Sequence, residues 1–138
     1  MENKEKKAQE MYMEYQMVDQ RIKKLQAQLE SVTGQLIELD ATSSGLDEFG
    51  KIKGEREILL PLSSGIFARA RIKDTSELLV NVGANVVVRK DILSAKKLIS
   101  GQMEEIKKVQ RKMADEMEKM AAKAGELEMK LQEMVSKE

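Results

Sequence analysis

The side chains that most often carry out chemistry are scarce in this chain. It has no histidine and no cysteine among 138 residues, so the commonest general bases, thiol nucleophiles and zinc ligands are missing. Ser63 and Ser64 have no base partner and are interpreted as turn residues. The sequence also lacks a glycine-rich phosphate loop. We therefore predict no enzyme activity, no cofactor and no metal site.

Apolar side chains near both ends of the sequence offer a different chemistry, which is binding through hydrophobic surface. Several of them lie outside the helical seams described below, and exposed apolar clusters usually mark interaction sites. Methionine, which is frequent here, is flexible and polarisable and suits a surface that must accept many shapes. Ordinary contacts flanking the helices, or fraying of their ends, are the alternative. The predicted contact residues, called the tip residues, are Met11, Tyr12, Met13, Tyr15, Met17, Met129, Leu131, Met134 and Val135.

Two long segments must position these residues, and each carries a heptad seam. The N-terminal seam consists of Ala8, Met11, Tyr15, Val18, Ile22, Leu25, Leu29, Val32, Leu36 and Leu39. The C-terminal seam consists of Ile99, Met103, Ile106, Gln110, Met113, Met117, Met120, Ala124, Leu127, Leu131 and Met134. Spacings of three and four in alternation predict coiled coil rather than one amphipathic helix on a globular core, which favours a wider apolar face.

The two seams have similar lengths, roughly 50 and 55 Å at 1.5 Å per residue. The simplest arrangement is an antiparallel hairpin within one chain, which brings both termini together at the far end. Pairing of each helix with another subunit is the alternative. Asp91 is the predicted N-cap of the second helix, because its carboxylate can accept from free backbone N–H groups.

The segment between the seams predicts a loop followed by sheet. Residues 41–57 contain three glycines and several small polar residues. Residues 58–90 read as four strand pieces separated by turns: the first and last are apolar runs, and the two middle ones alternate apolar and polar positions. Two hairpins alone bury little and expose strand edges, so we expect them to pair with other subunits. The predicted assembly residues are Ile66, Phe67, Ala68, Ala70, Ile72, Leu78, Val80, Val82, Val86 and Val88.

Composition limits the other classes of function. Lys+Arg and Asp+Glu balance at 24 each, so the basic face expected of a nucleic-acid-binding protein is not indicated. No apolar run reaches the ~18 residues of a membrane span, and the polar N-terminus does not resemble a secretory signal. Without cysteine, an oxidising compartment is not indicated. We predict a cytoplasmic protein that binds neither nucleic acid nor membrane.

The stretch "LLPLSSGIFARARIKDTSELLVNVGANVVVRKD" resembles the central signature of the prefoldin α-type subunits. It has an apolar pair before Pro61, a glycine-containing turn, Phe67, an alanine-rich strand, "KDT" and "NVG" followed by a valine-rich strand. The family commonly has glycine where this chain has Ser63, so the conformation of the first hairpin turn can differ from that of the family, while the resemblance itself is unchanged. Two hairpins rather than one favour the α type over the β type. The flanking helices match by length and heptad character.

The resemblance implies a molecular chaperone subunit of archaeal or eukaryotic cytosol. In that family, two α-type and four β-type subunits form a hexamer whose hairpins build a double β-barrel and whose coiled coils project as arms. The arms hold unfolded proteins without nucleotide and pass them to a group II chaperonin. The tip residues would then contact the unfolded client.

The predicted fold is accordingly mainly α: a long antiparallel two-helix coiled-coil hairpin with two central β-hairpins that join an oligomeric β-barrel. One domain would cover residues 1–138, with helix at 1–40, loop at 41–57, hairpins at 58–90 and helix at 91–138. The alternatives are a structural coiled-coil subunit of a filament or spacer, and a nucleic-acid or regulatory factor that uses the hairpins as a platform. Zero net charge and few aromatic residues oppose the latter.

Overall fold

The computed structural model describes residues 2–136 and confirms the predicted mainly helical architecture. Two long helices enclose four short strands in the sequence. The helices are α1 (Glu2–Gly50) and α2 (Ile92–Ser136), and the strands are β1 (Arg56–Ser63), β2 (Ile66–Ile72), β3 (Leu78–Gly83) and β4 (Val86–Lys90). Residue 1 of the predicted first helix and residues 137 and 138 of the predicted second helix lie outside the described residues. In the described part of the chain, neither helix has a segment long and apolar enough to cross a membrane.

Contacts divide the chain into two compact units. The first contains residues up to Leu36 and those from Glu105 onward, and the second contains Ile37–Glu104. In the first unit α1 and α2 run antiparallel, since Glu14 pairs with Lys123 at 2.9 Å and Arg21 pairs with Glu116 at 2.9 Å.

All predicted seam side chains are buried or half-buried. The burial is deepest at Leu25, which is 1% exposed. Burying about one apolar side chain per half-heptad from each helix stabilises the pair much more than helix propensity does. The heptad pattern therefore predicted the packed face correctly along both helices.

The polar seam residue Gln110 has a partner on the opposite helix. Its Nε2 donates a hydrogen bond of 3.2 Å to the Thr33 hydroxyl, and both side chains are partly buried. A polar pair in an apolar seam favours one register, at a cost in stability relative to leucine.

We expect Gln110→Leu to stabilise the helical pair by about 1 kcal/mol, because apolar area replaces a polar contact. The Thr33 hydroxyl remains satisfied, since it can bond to a carbonyl of its own helix. Thermal unfolding followed by far-ultraviolet circular dichroism measures the change, with Gln102→Leu, at an exposed position of α2, as the control. A lower midpoint for Gln110→Leu would contradict this account.

The loop predicted at 41–57 is wrong over its first ten residues, because α1 continues to Gly50. The seam extends through Leu46 and Phe49, which are half-buried, and this packing outweighs the cost of glycine within a helix. Gly50 lies against α2, where an added Cβ would meet Ile92 Cδ1 at 3.2 Å. The helix ends in a turn in which the Ile52 N–H donates to the Phe49 carbonyl at 3.2 Å.

Asp91 caps α2, as predicted. One carboxylate oxygen accepts a 2.7 Å hydrogen bond from the Ser94 backbone N–H, and the Asp91 carbonyl accepts the first helical bond, 3.0 Å from the Ala95 nitrogen. Hydrogen bonds from the side chain and backbone of Ser94 hold the pKa of the Asp91 carboxyl below its usual value, because they favour the charged form.

Asp91→Ala is expected to lower the thermal midpoint at neutral pH, because the first turn of α2 loses its acceptor. A carboxyl with a lowered folded pKa contributes stability above its unfolded pKa and loses it as pH falls through the folded value. The difference between wild type and Asp91→Ala should therefore shrink in acid, below about pH 4. Asp91→Asn keeps the acceptor and should remain closer to wild type. A difference independent of pH would rule out a role for the charge.

Each hairpin forms its own two-stranded antiparallel sheet. The first turns at Ser64 and Gly65, where glycine takes a φ of 79°. The second turns at Ala84 and Asn85, both with positive φ (51° and 61°), which matches the twist of the strands. In the described residues the hairpins thus leave strand edges that no strand of the same chain covers.

Candidate functional site

The described residues contain no group of three or more His, Cys, Asp or Glu side chains placed to hold a metal ion. The Asp74 carboxylate accepts hydrogen bonds from the Ser76 side chain and backbone, and these bonds stabilise the turn between the hairpins. The same bonds lower the pKa of the Asp74 carboxyl. Exposed apolar side chains, in contrast, occur in both units and form the candidate site.

The first hairpin carries apolar side chains on both faces. On one face Ala68 and Ala70 of β2 lie opposite Leu60 and Ile58 of β1, and the three residues other than Leu60 are half-buried. The predicted assembly residues on this face are Ile66, Ala68, Ala70 and Ile72.

Phe67 belongs to the opposite face of this hairpin, because successive residues of a strand alternate. It lies across from Pro61 and is 58% exposed. Beside it Leu59, which is 65% exposed, lies across from Arg69. This face is therefore charged at one end and apolar at the turn end, which the alternation of β2 alone did not predict.

The second hairpin has a half-buried pair, Val80 opposite Val88, on its apolar face. Leu78 lies half-buried on the same strand face, while Val82 and Val86 at the turn end are about half exposed. Leu79 lies on the other face, across from Arg89, and is 72% exposed.

The two hairpins repeat one pattern, twenty positions apart. Leu59 pairs with Arg69 as Leu79 pairs with Arg89, and the register shift next to each turn falls at equivalent positions. Each arginine also reaches a glutamate two residues before the leucine: Arg69 contacts Glu57 at 3.6 Å and Arg89 contacts the corresponding Glu77 at 3.3 Å. Sequence reasoning missed this repeat, although the spacing of Glu, Leu and Arg carried the signal.

Sequence reasoning also missed the exposed apolar residues of β1. That strand is apolar at every position from Ile58 to Leu62, so both of its faces carry hydrophobic side chains. Its continuous apolar run was the signal for a strand covered on two sides. The exposed apolar residues of the hairpins that were not predicted are Leu59, Leu60, Leu62, Leu79 and Val87.

The tip residues lie in the first unit and divide by exposure. The five outside the seams are strongly exposed: Tyr12 (55%), Met13 (63%), Met17 (70%), Met129 (66%) and Val135 (74%). The four seam members are half-buried, namely Met11, Tyr15, Leu131 and Met134. The surface is thus a set of apolar side chains that the seam does not cover.

Shallow grooves bring several tip residues together. A groove of about 510 Å³ is lined by Tyr12, Tyr15, Leu131 and Val135, with Glu128 as its charged member, and with Gln132 and Ser136. A neighbouring groove of about 400 Å³ is lined by Tyr12, Met13, Leu131, Ala8 and Gln9. Tyr12 and Leu131 therefore contribute to both grooves.

Other tip residues lie apart from these two grooves. Met17 lines a third groove of about 520 Å³ with Val18 and Met120. The other lining residues of this groove are polar or charged: Glu14, Gln20, Arg21, Lys24 and Lys123. Met11, Met129 and Met134 line none of these three grooves.

Two heptad helices joined through a pair of edge-exposed β-hairpins define a class of coiled-coil protein. Comparison with known proteins gives the particular family. The family model described as Prefoldin subunit matches residues 18–137. The chain therefore belongs to the prefoldin family, a family of chaperone subunits and not a known family of enzymes.

Individual proteins agree with this assignment. "Prefoldin subunit alpha" of Thermofilum pendens is 25% identical over 115 residues, which cover 83% of this chain and 89% of that protein. A solved structure described as filamentous PFD from Methanocaldococcus jannaschii has the same fold, with a TM-score of 0.75 and 16% identity over 88% of this chain and 98% of that one. The predicted resemblance is confirmed, and family membership implies assembly with other prefoldin subunits.

Proposed function

We propose that this chain is a cytoplasmic α-type prefoldin subunit that holds unfolded proteins without ATP and passes them to a group II chaperonin. The observation that carries the proposal is the set of five exposed apolar tip residues, which the helical seam does not need. Apolar side chains that stay in water add no burial free energy to the folded monomer. Exposed apolar surface of this kind usually marks a binding site.

The two grooves that share Tyr12 and Leu131, called the tip grooves, suit unfolded chains because they are shallow and mostly apolar. A client side chain that enters one loses water from both surfaces, at roughly 25 cal/mol per Å² of apolar area. Each such contact is weak, but several arms on one client raise the effective affinity. Weak contacts also permit release without nucleotide hydrolysis.

Assembly through the hairpins supplies the several arms. The exposed apolar faces and strand edges of both hairpins support pairing with β-type subunits, in a hexamer of two α-type and four β-type chains. Closing hairpins from several subunits into a β-barrel removes the edges that an isolated hairpin exposes.

Suppression of aggregation tests the proposal. The complex with a β-type subunit is added to a chemically unfolded client on dilution, with and without ATP, and light scattering is recorded. We expect suppression that is independent of ATP and lost when residues 1–17 and 129–138 are removed. Full suppression by the truncated complex would refute the tip surface as the holding site.

A structural filament subunit is the second candidate. The repeat of the two hairpins favours it, because equivalent surfaces on one chain permit open-ended association between copies. A solved structure of the same fold is described as filamentous. Electron microscopy of the chain alone distinguishes the candidates: long filaments support this reading, and small oligomers without filaments oppose it.

A further inference from the structure

The nine methionines in the described residues fall into two sets. Six belong to the seams and are half-buried: Met11, Met103, Met113, Met117, Met120 and Met134. Three lie outside the seams and are 63–70% exposed: Met13, Met17 and Met129. All three exposed methionines belong to the tip residues. The chain has no cysteine, whose thiolate would otherwise be the first side chain that an oxidant attacks.

Two of the three exposed methionines, Met13 and Met17, also line grooves on the surface proposed to hold clients. Met13 shares a groove with Tyr12 and Leu131. Met17 shares another with Val18 and Met120. A change in the polarity of Met13 or Met17 therefore alters a groove, while the seam contacts between the helices remain.

We propose that Met13, Met17 and Met129 are a site of reversible oxidation by hydroperoxides, which turns off client binding without unfolding the coiled coil. The thioether sulfur attacks one peroxide oxygen and the O–O bond breaks. The sulfur gains that oxygen and loses two electrons, and the other oxygen leaves as water when hydrogen peroxide is the oxidant. The product is a sulfoxide, which methionine sulfoxide reductases convert back to the thioether.

The consequence follows from the polarity of the product. A sulfoxide replaces a flexible apolar end by a polar, hydrogen-bonding group, which disfavours burial against an apolar client side chain. Since the three side chains already face water, the same change costs the folded coiled coil little. This inference rests on the proposed holding function for its effect, but the site of oxidation is independent of that function.

The first test maps the site. The intact complex is titrated with hydrogen peroxide, digested and analysed by mass spectrometry for sulfoxide at each methionine. We expect the three exposed sulfurs to oxidise about fivefold faster than Met103, Met113 and Met117, because access controls the reaction. Equal rates in the exposed set (Met13, Met17 and Met129) and the seam set (Met103, Met113 and Met117) would overturn the proposal. Loss of helical circular dichroism before the exposed set is fully oxidised would also overturn it.

The second test measures the effect on holding. Wild type, oxidised at the tip, should suppress aggregation several-fold less well and recover after treatment with the reductases. The variant with Met13→Leu, Met17→Leu and Met129→Leu should keep its activity in peroxide, whereas a control with Met113→Leu and Met117→Leu should lose it as wild type does.

An equal loss in the tip-leucine variant would overturn the switch. If untreated wild type held no client, the proposed holding function would be wrong, and oxidation could not turn it off. The sulfoxide map would still decide whether these three sulfurs are the preferred site of oxidation.

Discussion

Val80→Asp is expected to abolish the oligomer while α1 and α2 keep their helical signal. Val80 is half-buried opposite Val88 on the apolar face of the second hairpin. A carboxylate buried there in a subunit interface costs several kcal/mol, which weakens association by more than about a hundredfold. Light scattering gives the mass, and far-ultraviolet circular dichroism gives the helix content.

The neighbouring residue offers a matched control. Asn81 lies on the opposite face, and its side-chain oxygen accepts a 2.9 Å hydrogen bond from the Gly83 N–H. Asn81→Asp adds the same charge one position away and keeps this acceptor, so its oligomer should persist. If Val80→Asp assembled normally, or if both variants failed alike, the face assigned to the interface would be wrong.

Replacing Tyr12, Met13 and Met17 together by glutamine is expected to remove most of the ability to suppress aggregation. Glutamine is a good helix former and is close to methionine in size, though smaller than tyrosine, and it binds apolar side chains poorly. Because the three side chains are 55–70% exposed, the thermal midpoint and the mass of the oligomer should change little. Light scattering of a diluted unfolded client measures the loss.

Ile37→Gln provides the control for this triple variant. Ile37 is also on α1 and is 66% exposed, but it belongs to the second unit and lines none of the grooves that contain tip residues. Its replacement removes exposed apolar surface without touching the tip grooves, so holding should be unaffected. A similar loss in Ile37→Gln would mean that general surface hydrophobicity, rather than the tip, holds the client.

The seams could be predicted from sequence because their signal is local and repeated. Each helix presents an apolar residue every three or four positions, and one irregularity such as Gln110 does not hide the pattern. The end of α1 could not be predicted in the same way. Whether the glycine-containing segment up to Gly50 is helical depends on packing against α2, whose Ile92 is distant in sequence.

The hairpins could also be predicted only in part from the sequence. The four strands and their turns follow from alternation and turn residues, but the placement of Phe67 and Leu59 on a second apolar face needs the pairing of β1 with β2. The repeat becomes evident in the same way, when Leu59 with Arg69 and Leu79 with Arg89 occupy equivalent pairs. The tip grooves likewise depend on which helix faces meet.

The mass of the chain in solution, alone and with a β-type subunit, tests the central claim that the hairpins assemble subunits. Light scattering should find a small oligomer for the chain alone and about six subunits for the mixture. A stable monomer under both conditions would contradict the account, because strand edges and exposed apolar faces would then remain uncovered.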